Sequence, residues 1–261
     1  MNKLFFCILF LFTQMSYAIS WYDNKEIDQL FIDSNTVGTF VVYDVQQHQL
    51  IGYNQIRANT RFIPASTFKI VNSLIGLATK TIKNVDEKLP YGGKSYSRAE
   101  WQRDMGLRDA IKVSNLPIYQ ELARRIGIAQ MQANIKLLNY GNTNIGQVVD
   151  DFWLVGPFKI SAVEQAIFLA DLAQQTLPYD KEVQQTIHEI TLLEQGENWQ
   201  LHGKTGWADN HQPDVGWFVG WVEKEGKVYS FAINIDMLDP KKDIAKRVDI
   251  AKQSLKLLGI L

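Results

Sequence analysis

Residues 37–53 read VGTFVVYDVQQHQLIGY and residues 64–78 read PASTFKIVNSLIGLA; the change of period between them decides the fold. In the first stretch two short β-rich runs, 37–45 and 50–53, flank a polar connection and predict a hairpin. In the second, Pro64 opens a pattern in which Phe68, Val71, Leu74, Ile75 and Ala78 recur at helical spacing. Helical faces continue over 100–105, 117–126 and 129–138, and Ser161-Ala162-Val163-Glu164 is a capping box opening a helix over 162–174. Strand patterns return at 199–204, 216–223 and 228–236, and an amphipathic helix over 242–258 closes the chain. Strands at both ends with helices between them imply an α+β fold. Its antiparallel sheet is built from N- and C-terminal strands and flanked by helices, with a helical lobe inserted over roughly 80–190.

Composition narrows the function classes. The 261 residues carry 27 Lys+Arg against 28 Asp+Glu, a balance that offers no basic footprint for nucleic acid. At 46% hydrophobic and 21% charged, the chain is neither disordered, collagenous nor coiled coil. A single cysteine excludes a disulfide framework and a thiolate zinc site. His48, His188, His202 and His211 show no ligand spacing, so no metal is expected. Cys7 lies in an apolar run over 4–12, preceded by Lys3 and followed by Ser16-Tyr17-Ala18, the pattern of a secretory signal peptide. The run is shorter than the roughly 20 apolar residues a membrane span needs. The expectation is a signal peptide over 1–18, cleaved near Ala18, and one secreted, periplasmic, cysteine-free domain over 19–261 with no stable membrane anchor. Monomer and homodimer both stay open.

Two motifs carry chemistry. In Ser66-Thr67-Phe68-Lys69 the first and last residues share a helix face, so the hydroxyl and amine come within hydrogen-bond reach. A serine nucleophile needs an adjacent base, and a lysine made less basic by burial can serve. Lys204-Thr205-Gly206 falls in a late strand, where Lys and Thr can hold a carboxylate and Gly lets backbone approach backbone. Gly203-Lys204-Thr205 also resembles the end of a P-loop, but the glycine that motif requires at 198 is Asn198, and the nucleotide reading fails. S-x-x-K followed by K-T-G is the order found in penicillin-binding enzymes and serine β-lactamases.

With these motifs in place, the sequence resembles the class D serine β-lactamases, the oxacillinases. Ser66-Thr67-Phe68-Lys69, Ser114-Asn115-Leu116, Tyr140-Gly141-Asn142 and Lys204-Thr205-Gly206 carry the resemblance in the family's order. Around them lie similar stretches at 62–65 (FIPA), 119–127 (YQELARRIG), 152–154 (FWL), 160–162 (ISA) and 216–221 (GWFVGW). The resemblance implies a serine β-lactamase or penicillin-binding transpeptidase-like fold and hydrolysis of penicillins and oxacillin-type β-lactams. It implies Ser66 as the acylated nucleophile and Lys69, carboxylated on its nitrogen by carbon dioxide, as general base. It implies that Trp153 donates to that carbamate and that Ser114 relays a proton to the leaving nitrogen. Lys204, Thr205 and Arg247 would take the substrate carboxylate, with Gly206, Tyr140 and Asn142 among the binding positions. The N–H groups of Ser66 and Trp207 would form the oxyanion hole. No cofactor is implied beyond the carbon dioxide-derived carbamate.

The chain departs from the family's S-x-V at Leu116, whose extra methylene narrows the expected path of deacylating water. His202 shares a strand face with Lys204 and is read as a partly exposed strand residue in preference to a pocket residue. Trp217 and Trp221 alternate on a strand and are assigned to core or sheet face. Two alternatives use the same Ser and Lys: a penicillin-binding D,D-peptidase, and a β-lactam sensor domain that stays acylated. A sensor needs membrane segments and an effector, which the sequence after Ala18 does not provide.

Overall fold

Strict alternation within one buried strand sets the layers. In the computed structural model, which describes residues 19–261, the first hairpin is β2 (Gly38–Asp44) and β3 (Gln49–Tyr53). The signal peptide read over 1–18, and Cys7 within it, lie outside the described residues. Along β2, Phe40 and Val42 face one hydrophobic core and Val41 and Tyr43 face the other, as a strand covered on both sides requires. The remaining strands are β1 (Ser20–Asp23), β4 (Leu192–Gln195), β5 (Trp199–Ala208), β6 (Asp214–Lys224) and β7 (Lys227–Met237).

They form a seven-stranded sheet in the order β1-β3-β2-β7-β6-β5-β4. The pairing of β2 with β7, Gly38 opposite Ile235, joins the N-terminal hairpin to the C-terminal strands. Every neighbouring pair is antiparallel except β1 and β3, which corrects the all-antiparallel expectation. β1 is too short to show a period and joins the sheet at its outer edge.

The smaller core lies under the helices Lys25–Asp33 and Lys246–Leu257, against Phe218, Phe231 and Ile233. The larger core covers the opposite face, where Trp217, Val219 and Trp221 of β6 meet the intervening helices. Both tryptophans are fully buried there, as assigned from sequence. Helix Lys69–Ala78 packs on helix Leu116–Ile126 so closely that a Cβ on Gly76 would stand 2.8 Å from Leu122 Cδ1. Ser161 and Glu164 form the expected capping box at the head of helix Ala162–Ala173.

Two helical expectations change. Over 100–105 only the short turn Ala99–Trp101 is helical, because Met105 pairs with Leu89 and Asp104 accepts from Tyr91 N. The closing helix is divided into Pro240–Asp243 and Lys246–Leu257.

Candidate active site

The turn that carries Ser66 is a 3-10 segment, Ala65–Phe68, that runs directly into helix Lys69–Ala78. Ala65 is held at φ +49°, a left-handed conformation that a residue with a Cβ adopts only under constraint. Part of the constraint is visible: Ala65 N donates to Trp153 O at 2.9 Å and Thr67 N to Pro64 O at 3.2 Å. The spacing read from sequence is realised, with Lys69 Nζ 2.7 Å from Ser66 Oγ. Lys69 is only 1% exposed, walled by Phe68 and by Tyr119, whose ring centroid is 5.4 Å from Nζ. Burial first, then the charges of Lys204 and Arg98, hold the Lys69 amine well below the ordinary lysine range. Trp153 stacks on Phe68 at 5.3 Å, fully buried, and its indole Nε1 has no hydrogen-bond partner among the described residues. An unspent donor in a dry pocket costs about 1–3 kcal/mol and calls for an acceptor.

Ser114 sits on a second strained turn, at φ +54°. The turn is fixed on both sides. Asn115 caps helix Leu116–Ile126 through Ile118 N at 3.1 Å, and Trp101 Nε1 donates to Val113 O at 3.0 Å. Ser66 and Ser114 face a cavity of about 720 Å³, whose lining also includes Trp101, Leu116, Leu154 and Ile244.

The third wall is β5. A Cβ on Gly206 would lie 2.8 Å from Pro64 O, so only glycine lets this strand meet the Ser66 turn. Lys204 Nζ donates to Thr205 O at 3.0 Å, and burial, with Arg247 and Arg98 nearby, pushes this lysine down to about 7. Arg247, from the last helix, donates to Gly206 O at 2.6 Å, and its buried Nε has no partner among the described residues. Burial and Arg98 push its guanidinium down to about 10. Among the described residues, none of Lys69, Arg98, Lys204 and Arg247 pairs with a carboxylate. With Arg98, Lys112, Lys204 and Arg247 against Glu100 and Asp209 on its lining, the cavity carries an excess of cations and suits an anion.

Residues 38–256 match the family model of the penicillin-binding protein transpeptidase domain. The chain is 37% identical to β-lactamase OXA-5 of Pseudomonas aeruginosa, over 97% of this chain and 95% of that one. It is 38% identical to β-lactamase OXA-48 of Klebsiella pneumoniae, over 92% and 90%. Its fold superposes with a TM-score of 0.89 on the crystal structure of FUS-1 (OXA-85), a class D β-lactamase from Fusobacterium nucleatum subsp. polymorphum. That similarity is 46% identity over 92% of this chain and 100% of that one. The chain belongs to the class D β-lactamases.

Against that family's motifs, the structure sorts the residues singled out from sequence. Ser66, Ser114, Lys204, Thr205, Gly206, Trp207 and Arg247 line one cavity. Lys69 and Trp153 are buried beside the Ser66 turn. Tyr140 and Asn142, expected to bind substrate, do not reach the cavity lining. The Tyr140 ring is buried among Phe68, Phe158 and Phe168, with its hydroxyl turned to Gln165. Asn142 folds back onto its own loop, donating to Pro157 O at 2.7 Å and accepting from Lys159 N at 3.1 Å.

His202 is neither exposed nor in the cavity. It stacks on Trp221 at 4.6 Å under helix Lys181–Thr191, bonded to His188 O, and burial pushes it down to about 4. Two residues escaped the sequence reading. Arg98 lines the cavity over the Trp101 ring, 5.1 Å from its centroid, yet belongs to no motif and reads as an ordinary loop arginine. Gln165 sits near the start of helix Ala162–Ala173 on its buried face, where only its polarity in an apolar stripe was a signal.

Proposed function

We propose that this class D β-lactamase hydrolyses penicillins and oxacillin-type β-lactams through an acyl-Ser66 intermediate, with Lys69 as general base. The observation that carries the reading is the 2.7 Å contact of a dry, weakly basic Lys69 amine with Ser66 Oγ at the edge of a cationic cavity. The Ser66 hydroxyl gives its proton toward Lys69 as Oγ attacks the lactam carbonyl, and the C–N bond of the ring breaks. Backbone N–H groups of Ser66 and Trp207 stabilise the developing oxyanion, and Ser114 passes a proton to the departing nitrogen. Lys204, Thr205 and Arg247 hold the substrate carboxylate, a placement consistent with the two cations, which pair with no carboxylate among the described residues, and with Thr205 on the same cavity lining. Water then attacks the ester, returning Ser66 to its free form.

The residues around Lys69 fit a carbamate. The amine is uncharged-favouring and buried, and the partnerless Trp153 Nε1 lies in the same dry wall. Carboxylated, Lys69 would present an anionic base to both halves of the reaction, with Trp153 as its donor. The working chain is read as residues 19–261, exported to the periplasm after cleavage near Ala18; no helix among the described residues is long and apolar enough to cross a membrane. Bicarbonate tests the base. Turnover by the decarboxylated enzyme should fall and return when bicarbonate is added, and turnover indifferent to both steps would remove the carbamate from the reading.

A further inference from the structure

A buried chain of three side chains ends on the strained turn that presents the nucleophile. The Tyr140 hydroxyl donates to Gln165 Oε1 at 2.8 Å, and Gln165 Nε2 donates to Thr67 Oγ1 at 2.9 Å. Thr67 Oγ1 in turn donates to Pro64 O at 2.8 Å. All three side chains are no more than 2% exposed, and none lines the cavity. Chemistry fixes the direction of every step. The Pro64 carbonyl can only accept, so Thr67 spends its one hydrogen there and must accept from the Gln165 amide nitrogen, a donor only. The Gln165 carbonyl oxygen then faces the Tyr140 hydroxyl, which donates to it. Thr67 accepts that hydrogen and directs its own to the Pro64 carbonyl, one residue before Ala65 at φ +49°. The links come from the loop after helix Ile128–Leu137, from helix Ala162–Ala173 and from the turn itself.

We propose that Gln165 is a positioning residue for the reaction. Resting on the acyl-Ser66 reading, it ties the nucleophile turn to the helical framework and holds Ser66 Oγ and the Ser66 N–H where bond formation needs them. Tyr140 acts through Gln165, which gives the Tyr140-Gly141-Asn142 motif a task that its distance from the cavity does not suggest. Because the chain never touches substrate, its loss appears in the rate of acylation and leaves binding in place.

The test is single-turnover acylation of the mature chain by a chromogenic cephalosporin, resolving the dissociation constant from the acylation rate, alongside thermal unfolding. Gln165→Ala and Thr67→Val should each slow acylation about 10- to 100-fold, the range that displacement of about 1 Å commands, with the dissociation constant within about twofold. Since they break one chain, the double variant should be slower than the slower single by no more than about twofold. Thr67→Ser keeps the hydroxyl and should acylate within about threefold of the unsubstituted chain. A folded Gln165→Ala that acylates at the unsubstituted rate, or that loses binding with acylation unchanged, overturns the proposal. If Gln165→Ala does not fold, Thr67→Val against Thr67→Ser decides it, and equal rates overturn it. No acylation of the unsubstituted chain would instead sink the acyl-Ser66 reading on which the proposal rests.

Discussion

Lys69 and Lys204 are both buried lysines made less basic than usual, and they differ in what surrounds the nitrogen. Desolvation is the first cause of both shifts, but Lys69 is enclosed by aromatic side chains, with Ser66 Oγ 2.7 Å from its nitrogen. Lys204 opens onto the cavity beside Arg247 and is pushed down only to about 7. An enclosed amine next to a hydroxyl suits proton transfer, and a cation at a cavity wall suits an anion. On the proposed reading the same residue type is base in one region and receptor in the other, and burial geometry separates the two.

Substitutions should separate them in turn. Ser66→Ala is expected to abolish turnover, a loss of at least about 10³-fold in kcat, with the carboxylate end of the substrate still bound. Lys204→Ala should act mainly on binding. Loss of one charge-assisted hydrogen bond is worth about 1.5–3 kcal/mol, read as a rise in KM of about 10- to 100-fold with a smaller fall in kcat. A Lys204→Ala variant that lost kcat alone would erase the contrast between the lysines.

pH offers a gentler version of the same test. Lys204 titrates near 7 in the folded chain, below the ordinary lysine range, so the folded state binds fewer protons between those limits. Its contribution to stability therefore improves as pH rises through that window. The charge proposed to hold the substrate carboxylate is lost over the same rise. KM for a monoanionic penicillin should climb above about pH 7 while the unfolding temperature gains from this group. A KM flat from pH 6 to 9 would contradict the assignment. The smallest effect is expected at Leu116, on the cavity wall beside Ser114. Leu116→Val removes one methylene and should speed deacylation by no more than about tenfold, with acylation unchanged.

What the sequence made legible follows from period and spacing. The hairpin over 37–53, the three long C-terminal strands and the Ser66–Lys69 step depend on local pattern, and each stands where that pattern placed it. β1 and β4 are four-residue edge strands, too short to carry a period and defined only by the neighbours they join. His202 and Tyr140 were misplaced for a related reason. Strand parity gave His202 its face but not the helix Lys181–Thr191 that covers it. Position in a family motif put Tyr140 near the substrate, whereas burial turned its hydroxyl inward to Gln165. Arg98 matters through its charge acting on Lys69, Lys204 and Arg247, a proximity that exists only after the lobes assemble.

The central claim is that Ser66 is acylated and then released. Intact-mass analysis of the chain over residues 19–261, sampled from milliseconds to an hour after mixing with a penicillin, an oxacillin-type compound and a carbapenem, measures both steps on one species. With the first two, a transient adduct on the Ser66 peptide followed by return to the unmodified mass is the result this account predicts. An adduct that persists with every compound would contradict it, and would place the chain with enzymes that bind β-lactams without releasing them.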